Sequence, residues 1–244
     1  MSPTQALLWK EWAEHRWKMA FGTVMMASFS GALFAWGGIS NRESMILILA
    51  VGCLLLSILN AMGSFAQEHN EGTALFLATR PMEIRKVFLC KWMVGWANTV
   101  IPLLACGLTL GVWFASSPHS GSVVRNLVPG TLAMTWIATV LYSLSCCATL
   151  RRGGPAIVGL TGLFWAGAML LHLILADIFV GQRPTSLWDY LFLSANPLYV
   201  LALVDLPESL KNAGWLPMAA VLLEQGILLV LVLWVGLRNW KRSV

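Results

Sequence analysis

Six stretches of about 20 or more mostly apolar residues, roughly 19–39, 45–66, 92–115, 127–149, 155–179 and 216–237, occupy most of the sequence. A helix needs about 20 such residues to cross the hydrocarbon core of a bilayer. The spacing therefore predicts six membrane-spanning helices. Composition agrees: 11% of the 244 residues are charged, less than half of the roughly 25% that covers a soluble domain. The thirteen Trp fit as well, since indole rings settle at the membrane–water boundary. The expectation is an all-α polytopic membrane protein, with one membrane domain over residues 1–244 and membrane lipid as its surroundings.

Six spans put both termini on one side. If that side is the cytoplasm, twelve of the sixteen Lys and Arg lie there, and only Arg42, Arg125, Arg183 and Lys211 lie outside. That asymmetry is the one the positive-inside bias produces. It places the chain in a cell (inner or plasma) membrane with cytoplasmic termini, and it accounts for the net charge of +5 without nucleic acid. Residues 187–204, LWDYLFLSANPLYVLALV, are nearly long enough for a seventh span. Asp189 and the Asn196–Pro197 break argue against a full crossing, because proline removes a backbone donor. The segment reads as an external element that re-enters the membrane part-way between spans five and six, its broken backbone surrounded by protein.

The opening MSPTQALLWKEWAEHRWK has no uninterrupted apolar core and does not read as a signal peptide. Ser2, Pro3 and Gln5 match an N-cap, a first-turn proline and a capping-box partner. Trp9, Trp12, Ala13 and Trp17 recur at helical spacing. They predict an interfacial amphipathic helix over residues 1–18, the alternative being a cytoplasmic extension of the first span.

Catalytic chemistry has little to stand on. GxSxG, HExxH and GxxxxGK[ST] are all absent, so no catalytic residue is assigned and any energy from ATP must come from a partner. The five cysteines form no CxxC pair and have no histidines at metal spacing, so no metal site is expected. His172 reads as a packed core histidine. Within the apolar stretches the polar residues are Asn60, Asn98, Asp177, Glu224 and Gln225. Glu224 stands out, being close to the middle of 216–237, and intramembrane carboxylates are costly and often functional. Its alternative is to face an external vestibule or pair with Arg183 or Lys211. Gly107 and Gly111 form a GxxxG spacing that permits close helix approach.

Between spans two and three, on the cytoplasmic side, lies QEHNEGTALFLATRP, residues 67–81. Glu68 and Glu71 share a helix face. Gly72 allows a sharp change of direction, and Thr73 can cap a short helix running to about Thr79. Leu75, Phe76 and Leu77 are available to pack, and Arg80 and Pro81 close the stretch.

The pattern Glu71-Gly72-Thr73, Leu75-Phe76-Leu77, Pro81, Arg85 and Lys91 resembles the permease subunits of type-2 ATP-binding-cassette (ABC) transporters. An N-terminal amphipathic helix, six spans and an external Asn-Pro element agree with it along the whole chain. The resemblance implies a non-enzymatic transport subunit, and an exporter is expected. It would pair with a second permease copy or a related permease, above two ABC ATPase subunits. No cofactor would be bound here; ATP and Mg²⁺ would sit on the partner. Glu68, Glu71, Gly72, Thr73, Leu75, Phe76, Arg80 and Pro81 would form the coupling helix that docks on the ATPase. The alternative is a stand-alone six-span channel or scaffold, against which stands the lack of a repeated polar face suited to a filter.

Overall fold

The computed structural model describes residues 3–35, 42–64, 83–115, 120–149, 154–180 and 216–243, with a few residues between 189 and 198. They form six helices: α1 (Pro3–Ala35), α2 (Arg42–Ser64), α3 (Ile84–Ala115), α4 (Ser120–Thr149), α5 (Pro155–Val180) and α6 (Leu216–Ser243). Among the described residues there is no strand.

Local chemistry sets the helix starts. The Glu83 carbonyl accepts the Lys86 and Val87 amides at 2.8 and 3.3 Å, opening α3. Gly154 does the same for Ile157 and Val158 at 3.0 and 3.3 Å, with Pro155 at the first helical position, where a missing N–H costs nothing. Several helices outrun their apolar stretches. α3 begins at Ile84, eight residues before the apolar run, because backbone hydrogen bonding continues across Arg85, Lys86 and Lys91 regardless of hydropathy.

Contacts between helices give their directions. Leu7 packs with Val87 and Cys90, a Cβ on Gly22 would meet Pro102, and Ser30 reaches Cys106; α1 and α3 therefore run parallel. Trp92 bonds Ser143 and Trp96 bonds Thr139, so α4 runs against α3. Gly159 faces Met62 and Gly162 faces Ile58, so α5 runs against α2. Trp136 bonds Gln225 and Gly236 abuts Cys147, so α6 runs with α4. The helices thus alternate in direction. Leu7 and Trp240 both lie against the head of α3, which puts the start of α1 and the end of α6 at one end of the bundle.

α3 and α4 form the centre, with α2 packed on both. α1 joins the bundle almost wholly through α3, and α6 mainly through α4. Among the described residues, four helices contain stretches long and apolar enough to cross a membrane: Ile84–Val112, Leu127–Cys147, Pro155–Leu175 and Leu222–Trp240; α2 carries a shorter one, Ile48–Gly63.

The start of the chain differs from the expectation of a separate interfacial helix. α1 is one unbroken helix of 33 residues, about 50 Å at the α-helical rise. Its buried positions near the start are Leu7 and Glu11, while Trp9 and Trp17 of the tryptophan stripe stay exposed. The first turns are held by α3 through that other face, which matches the extension reading of residues 1–18.

Candidate functional site

Three polar assemblies tie the bundle together, one in its middle and one toward each end. In the middle, α4 carries Thr131, Thr135, Thr139 and Ser143 four residues apart, all buried. Their hydroxyls donate to carbonyls in the preceding turn of α4 at 2.7–2.8 Å, which satisfies each donor within the helix. The oxygens of Thr139 and Ser143 then accept the indole N–H groups of Trp96 at 2.9 Å and Trp92 at 3.1 Å. The two indoles stack with centroids 6.2 Å apart. Ser57 of α2 donates to the Ala138 carbonyl at 3.2 Å, and Asn60 donates to Thr99 at 3.1 Å. Gly107 permits the closeness of α3 and α4: a Cβ there would lie 2.5 Å from Thr131. The GxxxG spacing is thus used inside the chain.

Toward the far end from the termini, Asn196 is buried at 4% exposure. Its Nδ2 donates to the Met169 carbonyl at 2.7 Å and lies 3.3 Å from His172 Nδ1; its Oδ1 accepts the Leu198 amide at 3.0 Å. The Asn196 carbonyl accepts Gln225 Nε2 at 3.2 Å, and Gln225 Oε1 accepts the Trp136 indole N–H. Leu198 packs against the core formed by α2, α3 and α4. The Asn196–Pro197 turn is therefore seated among α4, α5 and α6, with His172 stacked on Phe192 at 4.6 Å. His172 is thus placed within hydrogen-bond distance of the Asn196 side chain.

At the end that holds the termini, Lys91 Nζ of α3 lies 2.7 Å from Glu11 Oε1 of α1, with both side chains 3% exposed. Glu14 on the outer side pairs instead with Lys10 at 3.5 Å, both half exposed. Glu11, Glu14 and His15 are, among the described residues, the one group whose ligand atoms could converge on a metal ion, all within 4.8 Å of one another. The Lys91 ammonium already occupies the cationic position beside Glu11, and His15 Nδ1 is engaged by the Glu11 carbonyl at 2.9 Å. The geometry is that of an ion pair.

Two turns beyond Lys91, Asn98 is 2% exposed, and among the described residues neither of its amide atoms has a hydrogen-bond partner. Leaving such a group unsatisfied costs about 1–3 kcal/mol.

The expected docking residues Glu68, Glu71, Gly72, Thr73, Leu75, Phe76, Arg80 and Pro81 lie outside the described residues. Lys91, the last position of the motif, is described, and it is buried against α1. Glu224 is half-buried, whereas its neighbour Gln225 is 1% exposed and holds the Asn196 turn. Arg183 and Lys211, the alternative partners of Glu224, lie outside the described residues. Reading the sequence ranked Glu224 over Gln225 because a carboxylate costs more in lipid. It missed the Glu11–Lys91 pair, whose signal was a charge within each of two apolar-flanked helical faces, LLWKEW and VFLCKWMV.

Residues 41–161 match the family model described as CcmB protein. The family is one of permease subunits of ABC-type transporters. The match supports an ABC-type permease. It covers just under half of the chain, from the start of α2 through α4 into α5, and it includes residues 67–81. No curated protein matches the sequence. The family match and the apolar helices together support a multi-pass inner-membrane transport subunit.

Proposed function

We propose that this chain is the membrane subunit of an ABC exporter of the type-2 class, crossing the membrane six times with both termini in the cytoplasm. The observation that carries this reading is the family match, which spans the α2–α4 core and the polar stretch between α2 and α3. The alternation of helix directions supports it, because both chain ends fall at the end of the bundle where that stretch must lie. The twelve-to-four basic asymmetry makes this end cytoplasmic. The buried Asn196 turn supports a re-entrant element between α5 and α6.

In this reading residues 67–81 dock on the ATPase. Glu68 and Glu71 meet basic or backbone donors, Gly72 sets the angle, Leu75 and Phe76 fill an apolar groove, and Arg80 and Pro81 lead into α3. ATP and Mg²⁺ bind the two ATPase subunits, and their closure shifts a pair of permeases between packings, a coupling of distant sites through differential contacts. The CcmB match makes haem the cargo to test first. Glu224 takes the vestibule role beside the Asn196 turn.

The test is reconstitution with a Walker-motif ABC ATPase that co-purifies with this chain. Together they should turn over ATP and move haem into the lumen of inverted vesicles, or of proteoliposomes whose ATPases face outward; the isolated chain should do neither. Glu71→Ala and Phe76→Asp should leave insertion intact while releasing the ATPase or uncoupling it. If both variants keep full association and transport, residues 67–81 are a solvated loop.

A further inference from the structure

We propose that the buried Glu11–Lys91 pair is the joint that makes α1 move with the head of α3, so that a displacement of the preceding connection reaches two helices. The inference rests on the permease reading, and it makes Glu11 and Lys91 positioning residues for the transport cycle.

Four observations carry it. Among the described residues α1 packs mainly on α3, with side-chain approaches to α2 at Gly22–Leu56 and Met26–Gly52. Along their seam the contacts keep a parallel register, Leu7 on Val87 and Cys90, Glu11 on Lys91, Gly22 on Pro102 and Ser30 on Cys106. Apolar contacts do not by themselves hold helices together in lipid, where tails are as apolar as leucine; polar bonds and close packing do that. Of two side-chain polar bonds across this seam, one joins neutral Ser30 and Cys106 at 3.0 Å. The other is a full ion pair, screened from water on both sides, where its attraction is least weakened.

The head of the seam is where such a bond is needed. Beside it a groove of about 580 Å³ opens between the helices, lined by Leu8, Trp9 and Trp12 on α1 and Met93 and Trp96 on α3. On that side the two helices do not fill the space between them. Lys91 lies seven residues into α3, about 10 Å from its start at the helical rise, so any tilt of that start displaces Lys91 with little slack. Glu14 cannot stand in for Glu11, because it faces outward to Lys10.

The double variant Glu11→Leu/Lys91→Met separates this role from a structural one. Replacing both charges together leaves no unpaired ion, so folding is retained while the joint is removed. The measurement uses spin-label distances in the full permease–ATPase complex in nanodiscs, with and without ATP, Mg²⁺ and vanadate. One label pair is Trp17→Cys with Leu160→Cys (α1 to α5); the other is Leu89→Cys with Leu160→Cys (α3 to α5). All three positions are exposed, and the five native cysteines are buried and silent. In the wild type both distances should shift together on vanadate trapping. In the double variant the α3 shift should persist and the α1 shift should be lost. The charge swap Glu11→Lys/Lys91→Glu should restore it. An α1 shift that survives the double variant overturns the joint, as does a wild type in which α3 shifts without α1; both results leave the permease reading standing. Failure of the wild-type chain to bind the ATPase overturns the permease reading and the joint with it.

Discussion

The spans of α3, α4 and α6 have the same mean hydropathy, 1.5, and that of α5 is 1.9, yet their surroundings differ sharply. Within the molecule 56% of the α3 span and 61% of the α4 span are buried, against 17% for α5 and 11% for α6. Hydropathy therefore identifies helices for the membrane without saying which of them face protein. The discriminating residues are small or hydroxylic. α4 presents Thr131, Thr135, Thr139 and Ser143 inward, and α3 answers with Gly107 and two indoles, while its Thr99 bonds Asn60 of α2. α5 and α6 present Leu160, Phe164, Ile178, Leu223 and Val230 outward. One half of the molecule is a protein core built on polar bonds and close backbones, and the other presents an outward apolar wall.

The largest effect should come from breaking charge inside that core. Lys91→Met alone leaves the Glu11 carboxylate buried without its partner, and breaking a buried pair in this way costs about 3–5 kcal/mol. Lys10→Met breaks a pair whose side chains are 50% and 53% exposed, where the cost is about 0–1 kcal/mol. Thermal unfolding of the two purified variants in one detergent compares them; equal losses would mean that Glu11 and Lys91 are solvated. Next comes packing. Thr131 is held by its bond to the Leu127 carbonyl at 2.8 Å, so the 2.5 Å approach of a new Cβ in Gly107→Ala has to separate α3 from α4. Overpacking of this kind costs about 1–3 kcal/mol. Gly167→Ala in α5 and Gly226→Ala in α6 meet nothing within 4 Å and should unfold at the wild-type temperature or above it. A neutral Gly107→Ala would erase the distinction between core and wall.

Much of the architecture was legible because it follows from hydrophobic length. Within the described residues the apolar runs lie inside the observed helices, and Asn196 sits in a buried turn bonded to α5 and α6. What could not be read was pairing across the sequence. Glu11 and Lys91 are 80 residues apart, and each alone looks like an ordinary interfacial charge. Gln225 looked less consequential than Glu224 because ranking by ionisation ignores which face of α6 turns inward. The first 18 residues were expected to lie in the interface because their Trp spacing is amphipathic, but helical spacing describes a face without naming what covers it. The docking residues from Glu68 to Pro81 rest on the sequence pattern alone, since that stretch lies outside the described residues.

The smallest effect tests whether the hydroxyl ladder of α4 is energetic or merely tidy. Trp96→Phe removes the indole donor that reaches Thr139 at 2.9 Å. Thr139 keeps its own bond to the Thr135 carbonyl at 2.8 Å, so no buried donor is orphaned and the loss is confined to one interhelical hydrogen bond. Such bonds between membrane helices average about 0.6 kcal/mol. Thr139→Val removes the acceptor from the other side. If the two residues stabilise the bundle through this bond, the double variant should lose less than the sum of the singles by about the same 0.6 kcal/mol, which a double-mutant cycle on unfolding free energy resolves. Trp234 in α6 is the matching control on the wall, 55% exposed with Arg238 over its ring at 5.5 Å. Trp234→Phe has no inward bond to lose and should show no coupling to Thr139→Val. Additive losses at Trp96 and Thr139 would mean that α3 and α4 are held by shape alone, with Gly107 rather than the ladder setting their distance.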